Sequence, residues 1–291
     1  MARRHVVAGL DGSAGSLAAV DWAARESLLR GVPLRVLHAR PLLPMLLPSR
    51  PGPSAEARQD LLHRVESALV RGHPGLEVSS VEVVDTAPSA LVAASEDAEL
   101  LVQGARGCGG FDELLVGSVG LQTARRAHCP VVTVRPPACT SRSGAEQAVC
   151  GTPEIVLGVD ARDPAEAALG FAFGTAERRG ARLRVVHAVQ PAPADLGAGW
   201  TKIDRERWQE SEVVLLSDVL GVWCKQYPDV TVVREVVPGD PAGALVRAAS
   251  GAELLVVGRR QAVGPYDAGL GPVSHAALHH APTAVALVPH T

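Results

Sequence analysis

The residues best suited to chemistry lie in the run Gly104-Ala105-Arg106-Gly107-Cys108-Gly109-Gly110-Phe111-Asp112-Glu113-Leu114-Leu115-Val116-Gly117-Ser118. It follows an apolar, strand-like stretch and opens into a helical one. Glycines at 104 and 107 let the backbone turn sharply and approach a ligand closely. Gly117-Ser118 falls where a helix begins, and the free N–H groups and dipole of a helix start favour an anion. Arg106 can add a positive charge. Backbone amides, a hydroxyl and a guanidinium in this order form a phosphate cradle. The run lacks the Gly-Lys-Ser/Thr ending of a P-loop, and no G-x-G-x-x-G follows the first strand, so neither standard nucleotide fingerprint applies. Read alone, it could equally be a turn that joins strand to helix.

The elements that would hold this run occur twice. His5-Val6-Val7-Ala8-Gly9-Leu10-Asp11 matches Glu154-Ile155-Val156-Leu157-Gly158-Val159-Asp160, and Leu34-Arg35-Val36-Leu37-His38-Ala39 matches Leu183-Arg184-Val185-Val186-His187-Ala188, both at an offset of 149. Ala98-Glu99-Leu100-Leu101-Val102-Gln103-Gly104 matches Ala252-Glu253-Leu254-Leu255-Val256-Val257-Gly258 at an offset of 154. Several matches in one order mean duplication. The spacing predicts a first domain over 1–136, a Pro-, Ser- and Gly-rich linker over 137–153, and a second domain over 154–291. In the first half strands are predicted at 5–10, 33–39, 76–84, 99–103 and 131–135, with helices at 14–30, 54–71, 87–97 and 118–128. The second half repeats the strands at 154–159, 181–189, 229–237, 253–258 and 283–288. Short apolar strands alternating with helices predict an α/β fold with open parallel sheets covered on both faces.

With these motifs the chain resembles the universal stress protein family, whose nucleotide motif G-x2-G-x9-G-S/T is filled by Gly104, Gly107, Gly117 and Ser118. The resemblance extends to Gly9-Leu10-Asp11-Gly12-Ser13, to Leu37-His38-Ala39 and to His128-Cys129-Pro130-Val131-Val132, and it covers almost the whole chain twice. It implies two tandem domains of strand order 3-2-1-4-5, related to the adenine nucleotide α-hydrolase fold, and ATP with its Mg ion as ligand. In that order the ends of the first and fourth strands meet at a topological switch point, the usual seat of a ligand. The resemblance further implies that Asp11 meets the nucleoside and that the Ala39 backbone borders adenine. Gly104, Gly107, Gly117 and Ser118 would hold ribose and phosphates, with Val119 adding a backbone contact. The second domain departs from the motif: Gln261 and Pro272 stand in place of the second glycine and the serine, and Ala161-Arg162 in place of Gly12-Ser13. It is therefore expected to be a structural partner that binds ATP weakly or not at all.

Other residues are read more plainly. Ser13 is expected to cap the first helix. His38 and His187 are expected to be hydrogen-bonded strand-end residues, for want of a nearby carboxylate motif. His275, His279 and His280 are expected on a solvated helix face, Cys108 in small-residue packing, and Trp200, Trp208 and Trp223 in a core or interface. A net charge of −3 over 291 residues gives no reason to expect nucleic acid or an anionic membrane. No signal-peptide pattern and no paired-cysteine pattern is found, so a cytoplasmic protein is expected. The last strand of each half should be a sheet edge, which predicts a homodimer or an intrachain pseudo-dimer. The expected role is regulatory ATP binding in a stress response, without catalysis. An ATP-using enzyme and a nucleotide-free scaffold are the alternatives. Against the enzyme, the Ser-Gly-Gly-x-Asp-Ser and His-x-Gly-His signatures of related folds are absent.

Overall fold

The computed structural model describes residues 4–40, 54–105, 116–135, 152–190, 202–261 and 269–290. Residues 41–53 and 191–201, most of the linker, Cys108 and Trp200 lie outside these residues. The chain divides into two compact units, Met1–Pro137 and Ala138–Thr291.

In the first unit the order is β1 (His5–Gly9), α1 (Ala14–Arg30), β2 (Leu34–Arg40), α2 (Ala55–Gly72), β3 (Val78–Val84), α3 (Ala87–Ala94), β4 (Ala98–Gly104), α4 (Ser118–Arg126) and β5 (Val131–Val134). Its strands lie in the order β3-β2-β1-β4-β5, and every pairing is parallel. The central strands are buried on both sides: Val6, Val7 and Ala8 of β1 and Leu100, Leu101 and Val102 of β4 have no exposed surface. That is why they read as unbroken apolar runs and not as alternating ones. One face packs Leu37, Leu91, Leu101 and Val131 around Val7.

Helix α1 shows how local sequence sets an element. The Ser13 hydroxyl accepts from the Ser16 amide at 3.1 Å and starts the helix. Gly31 ends it in the left-handed region at φ 66°, its N–H returned to the last turn. Between these caps, Ala19, Ala23 and Ala24 offer a small-residue face that lets α1 lie close on β1 and β4.

The second unit repeats the plan: β6 (Glu154–Gly158), α5 (Glu166–Arg179), β7 (Arg182–Val189), α6 (Lys202–Gln226), β8 (Val232–Pro238), α7 (Pro241–Ala248), β9 (Leu254–Arg260), α8 (Pro272–His280) and β10 (Ala284–His290). Its strands lie in the order β8-β7-β6-β9-β10, again all parallel. Two departures matter. Helix α5 begins three residues later than the repeat predicts, because Pro164 disfavours helical backbone at Asp163 and Ala165 supplies no side-chain cap. Helix α6 is 25 residues long against 18 for α2. At its C-terminal end Trp223, with Tyr227 just beyond it, packs against the buried Phe173, with ring centroids 5.9 and 5.6 Å away. Among the described residues no helix is long and apolar enough to cross a membrane.

Candidate functional site

In the first unit β1 pairs with β2 on one side and β4 on the other, and the chain leaves these neighbours in opposite directions. The carboxyl ends of β1 and β4 therefore flank the crevice of a switch point. Asp11 stands exposed just beyond β1. Its Oδ1 accepts from the Ser13 amide at 2.9 Å, and its own amide donates to the Ser16 hydroxyl at 3.3 Å. This Asx turn fixes the direction of the carboxylate at the lip of the crevice. Gly12 supplies the left-handed step, at φ 84°. The His38 Nδ1 lies 2.8 Å from the Leu10 carbonyl and joins the ends of β1 and β2, a hydrogen-bonded strand-end residue as expected. Ala39 follows, half-buried on β2.

Across the crevice, Gly104 ends β4. A Cβ at this position would lie 2.6 Å from the Gly15 carbonyl carbon and 2.8 Å from its oxygen. Gly104 is therefore glycine because the first turn of α1 rests directly on it. It is not among the positive-φ glycines, and Gly117 sits at φ −74°, so the motif uses neither for left-handed backbone. The Gly117 amide donates to the Ala105 carbonyl at 2.8 Å and ties the two ends of the motif loop together. Gly117 is also the N-cap of α4, with no side chain to satisfy the first-turn amides. Ser118 and Val119 are exposed at this helix start. The structure thus brings Asp11, Gly104, Gly117, Ser118 and Val119 to the carboxyl end of one sheet. Arg106 and Gly107 lie outside the described residues.

The second unit keeps the frame and changes the chemistry. Asp160 repeats the Asx turn, accepting from the Arg162 amide at 3.0 Å. Gly258 again packs tightly, since a Cβ there would lie 2.9 Å from that of Ala165. Gly271 caps α8 with no side-chain bond, Pro272 takes the first helical position, and the Ser274 hydroxyl donates to the Gly258 carbonyl at 3.2 Å.

His187 differs from its counterpart His38. Its Nε2 lies 3.1 Å from Glu212 of α6, and Glu212 also pairs with Arg162. The expected reading of His187 lacked a carboxylate, and the structure supplies one. Burial pushes the Glu212 carboxyl up, but hydrogen bonds from Arg162 and His187 outweigh it and hold it below the usual carboxylate range. Both ring nitrogens of His187 are engaged: Nδ1 either accepts from the Ala161 amide or, when protonated, donates to the Val159 carbonyl. The ring therefore braces the β6 end and has no nitrogen left for a substrate. Glu212 was hard to find because its partners sit 25 and 50 positions away in sequence. Of the remaining residues, His275 and His280 are exposed, as expected, and the His275 and His279 rings stack at 4.3 Å.

Comparison with known proteins agrees with this geometry. The model of the universal stress protein family matches residues 2–135 and again 152–289. A universal stress protein of Mycobacterium tuberculosis is 34% identical over 288 residues, covering 95% of this chain and 94% of its own. One from Mycolicibacterium smegmatis is 32% identical, covering 97% and 96%. The crystal structure of a universal stress protein from Archaeoglobus fulgidus covers the whole of both chains with a TM-score of 0.67 at 16% identity, a likeness of fold. Two family matches in tandem, with relatives of equal length, establish that this chain belongs to the universal stress protein family.

Proposed function

We propose that the first unit binds one ATP, with Mg, in the crevice between β1 and β4, and that the protein acts as a regulatory nucleotide-binding module in a stress response. The observation that carries this reading is the start of α4. Its first-turn amides have no side-chain cap, it opens beside the end of β4, and the exposed Asp11 carboxylate stands on the other side of the crevice. Uncapped amides favour an anion there, while the carboxylate at a distance from it suits the hydroxyls of a sugar. A ligand with an anionic end and a hydroxyl-bearing end fits both. The Ser118 hydroxyl is placed to meet the outer phosphates or their metal ion. Binding without catalysis is favoured because the histidine at the strand ends, His38, is tied to the Leu10 carbonyl and not presented to the crevice. The same reading takes the protein as cytoplasmic and as a homodimer or intrachain pseudo-dimer.

Calorimetric titration with ATP tests the proposal. One site per chain is expected, weakened by changes in the first unit and not by those in the second. Two equivalent sites would overturn it. Mass spectrometry of nucleotide that co-purifies with the protein separates the nucleotide-free scaffold from this reading. Product analysis after incubation with ATP separates the enzyme.

A further inference from the structure

The second unit contains a cleft of about 1060 Å³ at its own switch point, among the carboxyl ends of β6, β7, β9 and β10 and the start of α8. That volume is at the upper end for small-molecule sites. A domain kept only as a structural partner has no use for such a space, so its lining is informative.

The phosphate side of this cleft is altered in three ways. Pro272 removes the amide and the hydroxyl that Ser118 offers in the first unit. Gln261 replaces the second motif glycine. The third change appears only in the structure. Arg260 stands two residues after Gly258, as Arg106 stands two after Gly104, so the second unit retains the motif arginine. Its guanidinium is paired with Asp163, which occupies the place of Ala14 in the repeat. Pro164 holds Asp163 out of α5 and so leaves it in the loop that reaches Arg260. The two guanidiniums that line the cleft, those of Arg260 and Arg162, are thus each balanced by a carboxylate, Asp163 and Glu212, which an anion would meet beside them.

The other side of the cleft remains equipped. Asp160 has one oxygen in its Asx turn and the other without a partner among the described residues. Val159, Ala188, Val189 and Leu245 form apolar walls, and Trp208 of α6 adds an aromatic ring that the first unit lacks at the matching Ser54. Flat apolar walls with a tryptophan suit a planar heterocycle. A single free carboxylate oxygen suits hydroxyl donors.

We propose that the second unit is a distinct ligand site for an uncharged nucleoside, selected against nucleoside triphosphates by the Asp163–Arg260 pair and by Pro272. The proposal uses the same switch-point geometry as the ATP reading but does not depend on ATP binding in the first unit. It is tested on the full chain carrying Asp11→Ala, titrated calorimetrically with adenosine and with ATP. The Trp208-sensitive site should take adenosine about tenfold or more tighter than ATP. Adding Trp208→Ala or Asp160→Ala should weaken adenosine about tenfold, whereas Trp208→Phe should retain most of the affinity, with thermal melts confirming that each variant is folded. Adding Asp163→Asn should strengthen ATP several-fold and leave adenosine unchanged. A Trp208-sensitive site that takes ATP as tightly as adenosine would overturn the proposal. So would adenosine binding indifferent to both Trp208 and Asp160, or none at millimolar concentration. If the wild-type chain binds no ATP while the Trp208-sensitive adenosine site persists, the ATP reading fails and this one stands.

Discussion

Asp11 and Ser118 are expected to act at opposite ends of one ligand, and this separates their substitutions. Asp11→Ala should cost ATP and ADP affinity about equally, by about 1.5–3 kcal/mol, the scale of a lost hydrogen bond to a charged group. Ser118→Ala should cost ATP more than ADP if the hydroxyl meets the outer phosphates. Paired titrations with the two nucleotides check both. Gly104 belongs to a different class. Its Cβ direction points into the backbone of Gly15, so Gly104→Ala should lower stability by about 2–3 kcal/mol even without nucleotide, as overpacked cores do. Gly271→Ala, with open space around it and φ −57°, should leave the melting temperature nearly unchanged. Thermal melts of the two nucleotide-free variants distinguish the classes. Glu212 adds a dependence on pH. Its folded pKa lies below the ordinary value, so its contribution is present above that value and is lost as pH falls through the folded one. Glu154, whose burial is outweighed by hydrogen bonds from Arg184 and Arg182, behaves in the same sense. Glu212→Gln should therefore flatten, without abolishing, the fall in melting temperature between about pH 5 and pH 3.

Helix α1 ties sheet and site together, because its cap, its first turn and its small-residue face act on the same region. Ser13→Ala should cost about 1 kcal/mol through the lost cap. It should also loosen the Asp11 turn, since the Asp11 amide and Ser13 hydroxyl both meet Ser16. Denaturant unfolding gives the first effect and ATP titration the second. At this scale the fold was legible in the sequence. Buried parallel strands announce themselves as short apolar runs, Ser13 and Gly31 mark the ends of α1, and the repeat supplies a second copy of every signal. What escaped was set by contacts across elements. The Glu212 brace on His187 and the Asp163–Arg260 pair join residues up to 97 positions apart, and no local pattern encodes them. Trp208 could be expected on a helix, but not that this helix would turn it toward a cleft. The steric reason for Gly104 was equally hidden, because its neighbour Gly15 lies on a different element.

For the whole molecule, duplication has produced two units with the same frame and unlike linings. ATP should therefore act on them unequally. Hydrogen exchange followed by mass spectrometry should show slowing at the ends of β1 and β4 and the start of α4 when ATP is added, with the ends of β6 and β9 unchanged. Equal slowing in both units would contradict a single ATP site.

The Gly104–Gly15 contact bears on how such chains are sorted by their motifs. Gly258 is required by packing in the second unit much as Gly104 is in the first, although the rest of that cradle has changed. The first letter of the signature is therefore written by the scaffold, and it carries little information about the ligand. The discriminating letters are the second glycine, the hydroxyl after the third, and whatever residue faces the motif arginine. A scan that weighs all four positions alike would give the second unit credit for a nucleotide on the strength of a residue that is only keeping a helix and a strand in register.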